Sequence, residues 1–330
     1  MVVESILKDQ SVLVSGATGF IGSWLVEKLV AQGSNVTAFV RPNSPRRNVM
    51  RWLPIEPNNI VYGDVKNAKD VARAVKSCGL IFHLAAITQV KHSLENPLET
   101  FSVNLQGTLN ILEAMRKSDK GQKLVYASTD KVYGEPIKLP IDEQHPLFGK
   151  SPYDASKIAA DRAVYSYYKT YGLPVVIARL SNVYGGRDLN FLRAIPDFVS
   201  SAILGEKMLV RGSGKHIRDF MFVGDAVSAF LKLAVNMSSN LGEAFNFGTG
   251  KPTTVFELAR QISACTGAFY KVLYEETPAE IDKQVLDSKK AKEKLNWKAG
   301  IELKDGLQHT VDWYSSNKDL WKPYCGRELR

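Results

Sequence analysis

Tyr153 and Lys157 stand four residues apart in Ser151-Pro152-Tyr153-Asp154-Ala155-Ser156-Lys157, so on a helix they share a face, one turn apart. A phenol with a pKa of about 10 is barely ionised at neutral pH, and an ammonium beside it favours the phenolate, which makes the pair a usable general base. A second group, Thr129-Asp130-Lys131, directly follows the apolar run 123–127. Thr129 can hydrogen-bond a hydroxyl oxygen, and Asp130 can protonate a departing hydroxyl when burial raises its pKa. Lys131 can act as a base only when neutral. That requires desolvation and the charge of Lys157 to outweigh Asp130. Capping of the next segment by Asp130 and Lys131 is the plainer use of the same residues. A third motif, Gly16-Ala17-Thr18-Gly19-Phe20-Ile21-Gly22, lies between an apolar run and a stretch bearing Trp24, Leu25 and Leu29. Its three glycines permit a tight turn, close backbone approach to a pyrophosphate and intimate helix-to-strand packing, with the helix N-terminus facing the anion. Gly16, Thr18, Gly19, Phe20, Ile21 and Gly22 are the expected dinucleotide cradle, against the alternative of a turn and nothing more.

These groups need a scaffold that brings them to one edge. Short runs rich in Val, Ile and Leu at 11–15, 35–40, 60–62, 80–84, 123–127 and 175–180 alternate with helical periodicity at 19–32, 68–76, 104–116 and 153–171. The expected class is α/β, a Rossmann-type doubly wound parallel sheet whose strand carboxyl ends line a ligand crevice. Residues 1–180 with about 219–249, including a return strand at 243–247, should form that domain. A smaller α/β lobe, about 181–218 plus 250–330, should cap the crevice, with helices near 254–266 and 288–295.

Composition narrows the function. The chain has 330 residues, 45% of them hydrophobic, which is ample for a buried core. Its charge of +9 is spread without a basic block, so no nucleic-acid partner is expected. Cys78, Cys265 and Cys325 suit neither a disulfide framework nor a zinc site, and the five histidines have no metal spacing, so no metal and a reducing, cytoplasmic setting are expected. No uncharged run approaches the roughly 18–20 residues that span a bilayer, so no membrane partner is expected.

The spacing Gly16-x-x-Gly19-x-x-Gly22 together with Tyr153-x-x-x-Lys157 resembles the extended short-chain dehydrogenases/reductases, over about residues 10–315. Within them Thr129-Asp130-Lys131 resembles the nucleotide-sugar 4,6-dehydratases, in the form found in the CDP-glucose 4,6-dehydratase group. Further agreement lies in His145-Pro146-Leu147, Tyr184-Gly185-Gly186-Arg187-Asp188-Leu189-Asn190-Phe191, Ile217-Arg218-Asp219-Phe220 and Ala244-Phe245-Asn246-Phe247-Gly248. Ala17 and Ile21 depart from that group, which often has histidine and lysine there, and Val40-Arg41 resembles GDP-mannose 4,6-dehydratase instead.

The resemblance implies a tightly bound NAD(P) that is regenerated in each turnover. Asp64 and Val65 would lie at the adenine, Leu84, Ala85 and Ala86 beside the nicotinamide ribose, and Tyr153 and Lys157 at the reacting end. Val40 cannot hold an adenosine 2′-hydroxyl as an acid would, whereas Arg41, with Arg46 and Arg47, can pair with a 2′-phosphate. NADP is therefore favoured, with NAD and ordinary surface arginines as the alternative. The substrate implied is a nucleotide-diphosphate hexose, met by Thr88, Asn182, Arg193, Arg211 and Arg218. Tyr153 would take the 4-hydroxyl proton, Lys131 the C5 proton, and Asp130 would protonate the departing 6-hydroxyl. A homodimer through a four-helix bundle of 104–116 and 153–171 is also implied. An epimerase, such as UDP-glucose 4-epimerase, would keep Tyr153 and Lys157 and use Asp130 and Lys131 structurally; GDP-mannose 4,6-dehydratase is a further alternative, and a dinucleotide-binding scaffold without turnover another.

Overall fold

The computed structural model describes residues 7–42, 50, 53–273 and 281–326. Seven strands form a parallel sheet: β1 (Ser11–Ser15), β2 (Asn35–Val40), β3 (Ile60–Tyr62), β4 (Leu80–His83), β5 (Lys123–Thr129), β6 (Val175–Leu180) and, after an excursion, β10 (Ala244–Phe247). Their order is β10-β6-β5-β4-β1-β2-β3, so the winding reverses between β1 and β4 and opens a crevice at their carboxyl ends.

Strand alternation sends Val12 and Val14 to one face and Leu13 to the other, each into a separate core. The first core is closed by α1 (Phe20–Ala31) and α8 (Val223–Val235), through Leu25, Leu29 and Phe230. The second is closed by α2 (Ala68–Val75), α5 (Gly107–Arg116) and α6 (Pro152–Tyr171), through Val71, Ile111, Leu112 and Val164. Each fully buried Val or Leu contributes roughly 1.5–3 kcal/mol.

Between β4 and α5 run α3 (Val90–Glu95), α4 (Pro97–Phe101) and a π-helical turn, Ser102–Gln106, where the sequence pattern predicts one helix from residue 104. Helix α6 starts where the sequence pattern places it because Ser151 and Asp154 form a capping box with Pro152 in the first turn. It ends at Gly172, whose φ of +68° suits a left-handed cap.

The remaining chain builds two small sheets. One has the order β11-β9-β7, from β7 (Asn182–Tyr184), β9 (Ile217–Phe222) and β11 (Pro252–Thr254). The other pairs β8 (Met208–Arg211) with β12 (Tyr270–Leu273). A third core holds Phe198 of α7 (Ala194–Ile203), Leu258 and Ile262 of α9 (Val255–Thr266), and Leu307 and Tyr314 of α11 (Leu303–Ser316). Helix α10 (Lys289–Leu295) follows its N-cap Ser288, and α12 (Lys318–Trp321) runs into a 3-10 turn at Lys322–Tyr324. Only Ser181 separates β6 from β7, so the large sheet leads straight into the small one.

The expected doubly wound α/β class is the observed one. One strand differs in a way that matters for chemistry: β5 runs to Thr129, pairing Ser128 with Arg179 and Thr129 with Leu180 of β6. Among the described residues no helix is long and apolar enough to cross a membrane, and no cluster of three His, Cys, Asp or Glu is disposed to hold a metal.

Candidate active site

At the crevice, Gly16 has a φ of +74°, and a Cβ there would lie 2.8 Å from the backbone nitrogen of Ala85. A Cβ on Gly22 would stand 2.1 Å from the carbonyl oxygen of Gly16, so the first helix can pack this closely only as glycine. Gly19 caps α1 without a side-chain acceptor, and the first turn has no acid. Its leading N–H groups therefore suit an anion. The backbone of Leu84 donates to Ser15 O (3.1 Å) and that of Ala85 to Ser15 Oγ (3.3 Å), which lays residues 84–86 across this turn. Thr18 and Phe20 are buried and Ile21 partly so.

Val40 is buried at the end of β2, and Arg41 is exposed directly after it, while Arg46 and Arg47 lie outside the described residues. Asp64 accepts from the backbone of its neighbour Lys66 (2.9 Å), and Val65 O accepts from Asn110 Nδ2 (2.8 Å). The donor set and the close glycine contacts fit a dinucleotide.

The reacting end assembles on β5 and α6. Thr129 Oγ1 donates to Asp130 Oδ1 (3.1 Å) and accepts from the backbone of Lys131 (3.3 Å). The cap expected of Asp130 and Lys131 is thus made by Thr129, which opens a single 3-10 turn at Asp130–Tyr133. Asp130 is 2% exposed, and its Oδ2 accepts from Asn182 Nδ2 (3.4 Å). Lys131 Nζ donates to Gln284 Oε1, and Gln284 Nε2 donates to the Asp130 carbonyl (3.1 Å).

Tyr153 is buried, with Thr129 beside its phenol. Burial pushes that phenol up to about 12, against the opposing effects of Thr129 and the Arg193 charge. Lys157, 5% exposed, donates to Ala127 O (2.6 Å), and its Nζ lies 4.4 Å from the Tyr126 ring centroid. Burial brings it down to about 7, opposed by Asp161. Desolvation is the largest effect at both groups, and the Arg193 charge opposes it at Tyr153.

The candidate substrate residues scatter more widely. Arg193 pairs with Asp188 (3.0 Å) and sits at the Tyr153 end. Arg218 is buried, its Nη1 donating to Ile217 O (2.9 Å) and Asp282 O (3.1 Å). Thr88 is exposed between β4 and α3. Arg211 ends β8, in the two-stranded sheet, and its side chain lies outside what is described.

Three residues at the site went unread in the sequence. Asp161, fully buried, accepts from Ser128 Oγ (2.9 Å) and from Arg179 Nε (3.0 Å) and Nη2 (2.8 Å). Its place four residues after Lys157, on the same helix face, was the available signal. Asn104 accepts from Ile87 N (2.8 Å) and donates to Ile87 O (3.0 Å) and Ser156 Oγ (2.9 Å), tying the crevice wall to α6. Gln284 carried no local signal.

Comparison with known proteins matches residues 13–310 to the model of the GDP-mannose 4,6-dehydratase family. The chain belongs to that family. As a GDP-mannose 4,6-dehydratase family member it is an extended short-chain dehydrogenase/reductase, within a group of NAD(P)-dependent enzymes acting on nucleotide sugars by dehydration, epimerisation or decarboxylation.

It is 36% identical over 313 residues to a provisionally named UDP-glucose 4-epimerase of Methanocaldococcus jannaschii, covering 93% of this chain and 99% of that protein. It is 31% identical over 336 residues to UDP-glucuronic acid decarboxylase 1 of Danio rerio, covering 97% of this chain and 78% of that one. Among solved structures, the dTDP-glucose 4,6-dehydratase DesIV of Streptomyces venezuelae, with NAD bound, superposes with a TM-score of 0.87 at 28% identity over 95% of this chain and 99% of that one. Relatives of three different activities thus share this family member's fold.

Proposed function

We propose that this protein is a nucleotide-sugar 4,6-dehydratase that converts an NDP-hexose, CDP-glucose before others, into the NDP-4-keto-6-deoxyhexose. The observation that carries the reading is Asp130, buried and held between Thr129 and Asn182, in the same turn as Lys131 and near enough for its charge to act on the Tyr153 phenol. An epimerase has no use for that acid and base, whereas elimination of water needs both.

Bound NAD(P) supplies a hydride acceptor for C4 and a donor for C6. Tyr153 removes the 4-hydroxyl proton, with Thr129 orienting that hydroxyl and the Arg193 charge favouring the phenolate. The C4 ketone acidifies the C5 proton, which passes to Lys131 Nζ. The 6-hydroxyl leaves as water with a proton from Asp130. Thr129 and Asn182 hold the two carboxyl oxygens of Asp130 in place for that transfer. Asn182 and Arg218 would meet the diphosphate.

Residues 1–180 with about 219–249 would hold the dinucleotide and the rest the nucleotide sugar. Arg41, exposed after buried Val40, favours NADP, and an unchanged NADP-to-NAD preference in Arg41→Ala overturns that choice. The family resemblance supports a homodimer through a four-helix bundle of α5 and α6, and a wild-type monomer by sedimentation overturns it.

The deciding experiment is mass analysis of products in deuterated water from CDP-, GDP-, UDP- and dTDP-glucose, GDP-mannose, UDP-N-acetylglucosamine and UDP-glucuronate. Loss of one water with a deuteron fixed at C5 is the expected result. An isomer of unchanged composition makes the protein an epimerase instead, the reading favoured by the Methanocaldococcus jannaschii relative.

A further inference from the structure

Lys131 is held by a side chain 153 residues further along the sequence. Gln284 is fully buried, and both ends of its amide are used: Nε2 donates to the Asp130 carbonyl (3.1 Å) and Oε1 accepts from Lys131 Nζ. A carbonyl can only accept, so the Nε2 end must face Asp130, which leaves Oε1 facing the lysine. The amide therefore has one orientation.

Its backbone is equally fixed. Gln284 N donates to Ile217 O (3.0 Å), Ile217 N to Asp282 O (2.9 Å), and Ile141 N to Val285 O (2.8 Å). Arg218, the candidate diphosphate ligand, donates to Asp282 O two residues before Gln284. A leucine would fill the same volume at lower desolvation cost, so a glutamine whose two polar ends meet the Asp130–Lys131 turn is specific to that turn. A neutral amide also holds the lysine nitrogen without adding a negative charge that would keep a proton on it.

Resting on the dehydratase reading, we infer that Gln284 is a positioning residue that aims the Lys131 nitrogen at the C5 proton of the substrate. The proton moves from C5 to Lys131 Nζ, and Gln284 exchanges none.

The test uses full-length wild type, Gln284→Met, Gln284→Glu, Lys131→Met and the Gln284→Met/Lys131→Met double variant, with whichever nucleotide sugar the product screen identifies. Two steps are read separately: oxidation at C4, as the single-turnover rise in nicotinamide absorbance, and deuteron incorporation at C5. Gln284→Met should leave the first rate unchanged and slow the second by about 10²-fold. In the Lys131→Met background it should slow C5 exchange no further. Gln284→Glu should move the rise of C5 exchange to higher pH.

Equal slowing of both steps, the same loss with and without Lys131, or an unmoved pH profile overturns the inference. Should Gln284→Met fail to fold, Gln284→Asn, which withdraws the amide by one carbon, is read by the same criteria. A wild type that dehydrates while Gln284→Met keeps full C5 exchange sinks the Gln284 inference alone. A wild type that dehydrates nothing sinks the dehydratase reading and this inference together.

Discussion

Lys157→Met should change the pH dependence of stability by an amount that follows from the burial of one ammonium. In the folded protein Lys157 titrates at about 7, against an ordinary value of 10.5. Between those values the unfolded chain holds a proton that the folded chain does not, so wild-type stability rises with pH across that window and falls as the pH drops through it. The difference of 10.5 and 7 corresponds to about 4–5 kcal/mol at about 1.4 kcal/mol per unit.

Methionine removes this penalty and also one compensation. The Ala127 carbonyl loses its donor, at about 2 kcal/mol, whereas the Tyr126 ring attracts only the charged form, whose contribution is already contained in the folded value. The net at pH 7 is about 2 kcal/mol in favour of the variant, and that advantage should reverse as the pH approaches 10. Urea unfolding of both proteins at several pH values isolates the effect, since every other titrating group is common to them. A difference between the two that stays constant from pH 7 to 10 would refute the reasoning.

Two further outcomes rest on groups behind the site. Asp161→Asn leaves Arg179 buried against an amide donor and disturbs the three hydrogen bonds that Asp161 accepts, so it should cost about 3–5 kcal/mol in urea unfolding; a loss below about 1 kcal/mol would contradict the buried pair. His83 is buried between Ser15 Oγ (2.6 Å) and Thr108 Oγ1 (3.1 Å), and burial together with the Lys157 charge lowers it to about 3. The unfolded chain then binds its proton first on acidification, so wild type should lose about 3 kcal/mol more than His83→Asn between pH 7 and pH 4, and parallel losses would exclude this cause.

The parallel sheet was legible because strands buried on both faces must be nearly continuous in Val, Ile and Leu, as 175–180 is. Tyr153 and Lys157 were legible because helical periodicity converts a spacing of four into a shared face. The protonation of that pair was not, because it depends on burial by Tyr126, Ala127 and the neighbouring strands rather than on the two residues themselves. The extra length of β5 was hidden for a similar reason: Ser128 is an ordinary turn residue in sequence and becomes a strand residue once Asp161, from α6, accepts its hydroxyl. Arg218 reads as a ligand by its charge, but its attachment to Asp282 O requires the late segment to return to β9. Gln284 belongs to that same return, and no local pattern reports a contact across 153 residues.

The turn that follows β5 is pinned residue by residue from separate parts of the chain: Asp130 by Asn182 of β7, and Asp130 O and Lys131 by Gln284. This has a consequence for how such a site diverges. Replacing the triplet 129–131 alone would leave the buried Gln284 Oε1 without its lysine donor and Asn182 without its carboxylate at once, so a lineage changing this turn passes through a destabilised ancestor unless positions 182 and 284 change with it. The same coupling instructs a protein engineer: graft the turn together with its two distant partners, as one five-residue unit scattered over three segments.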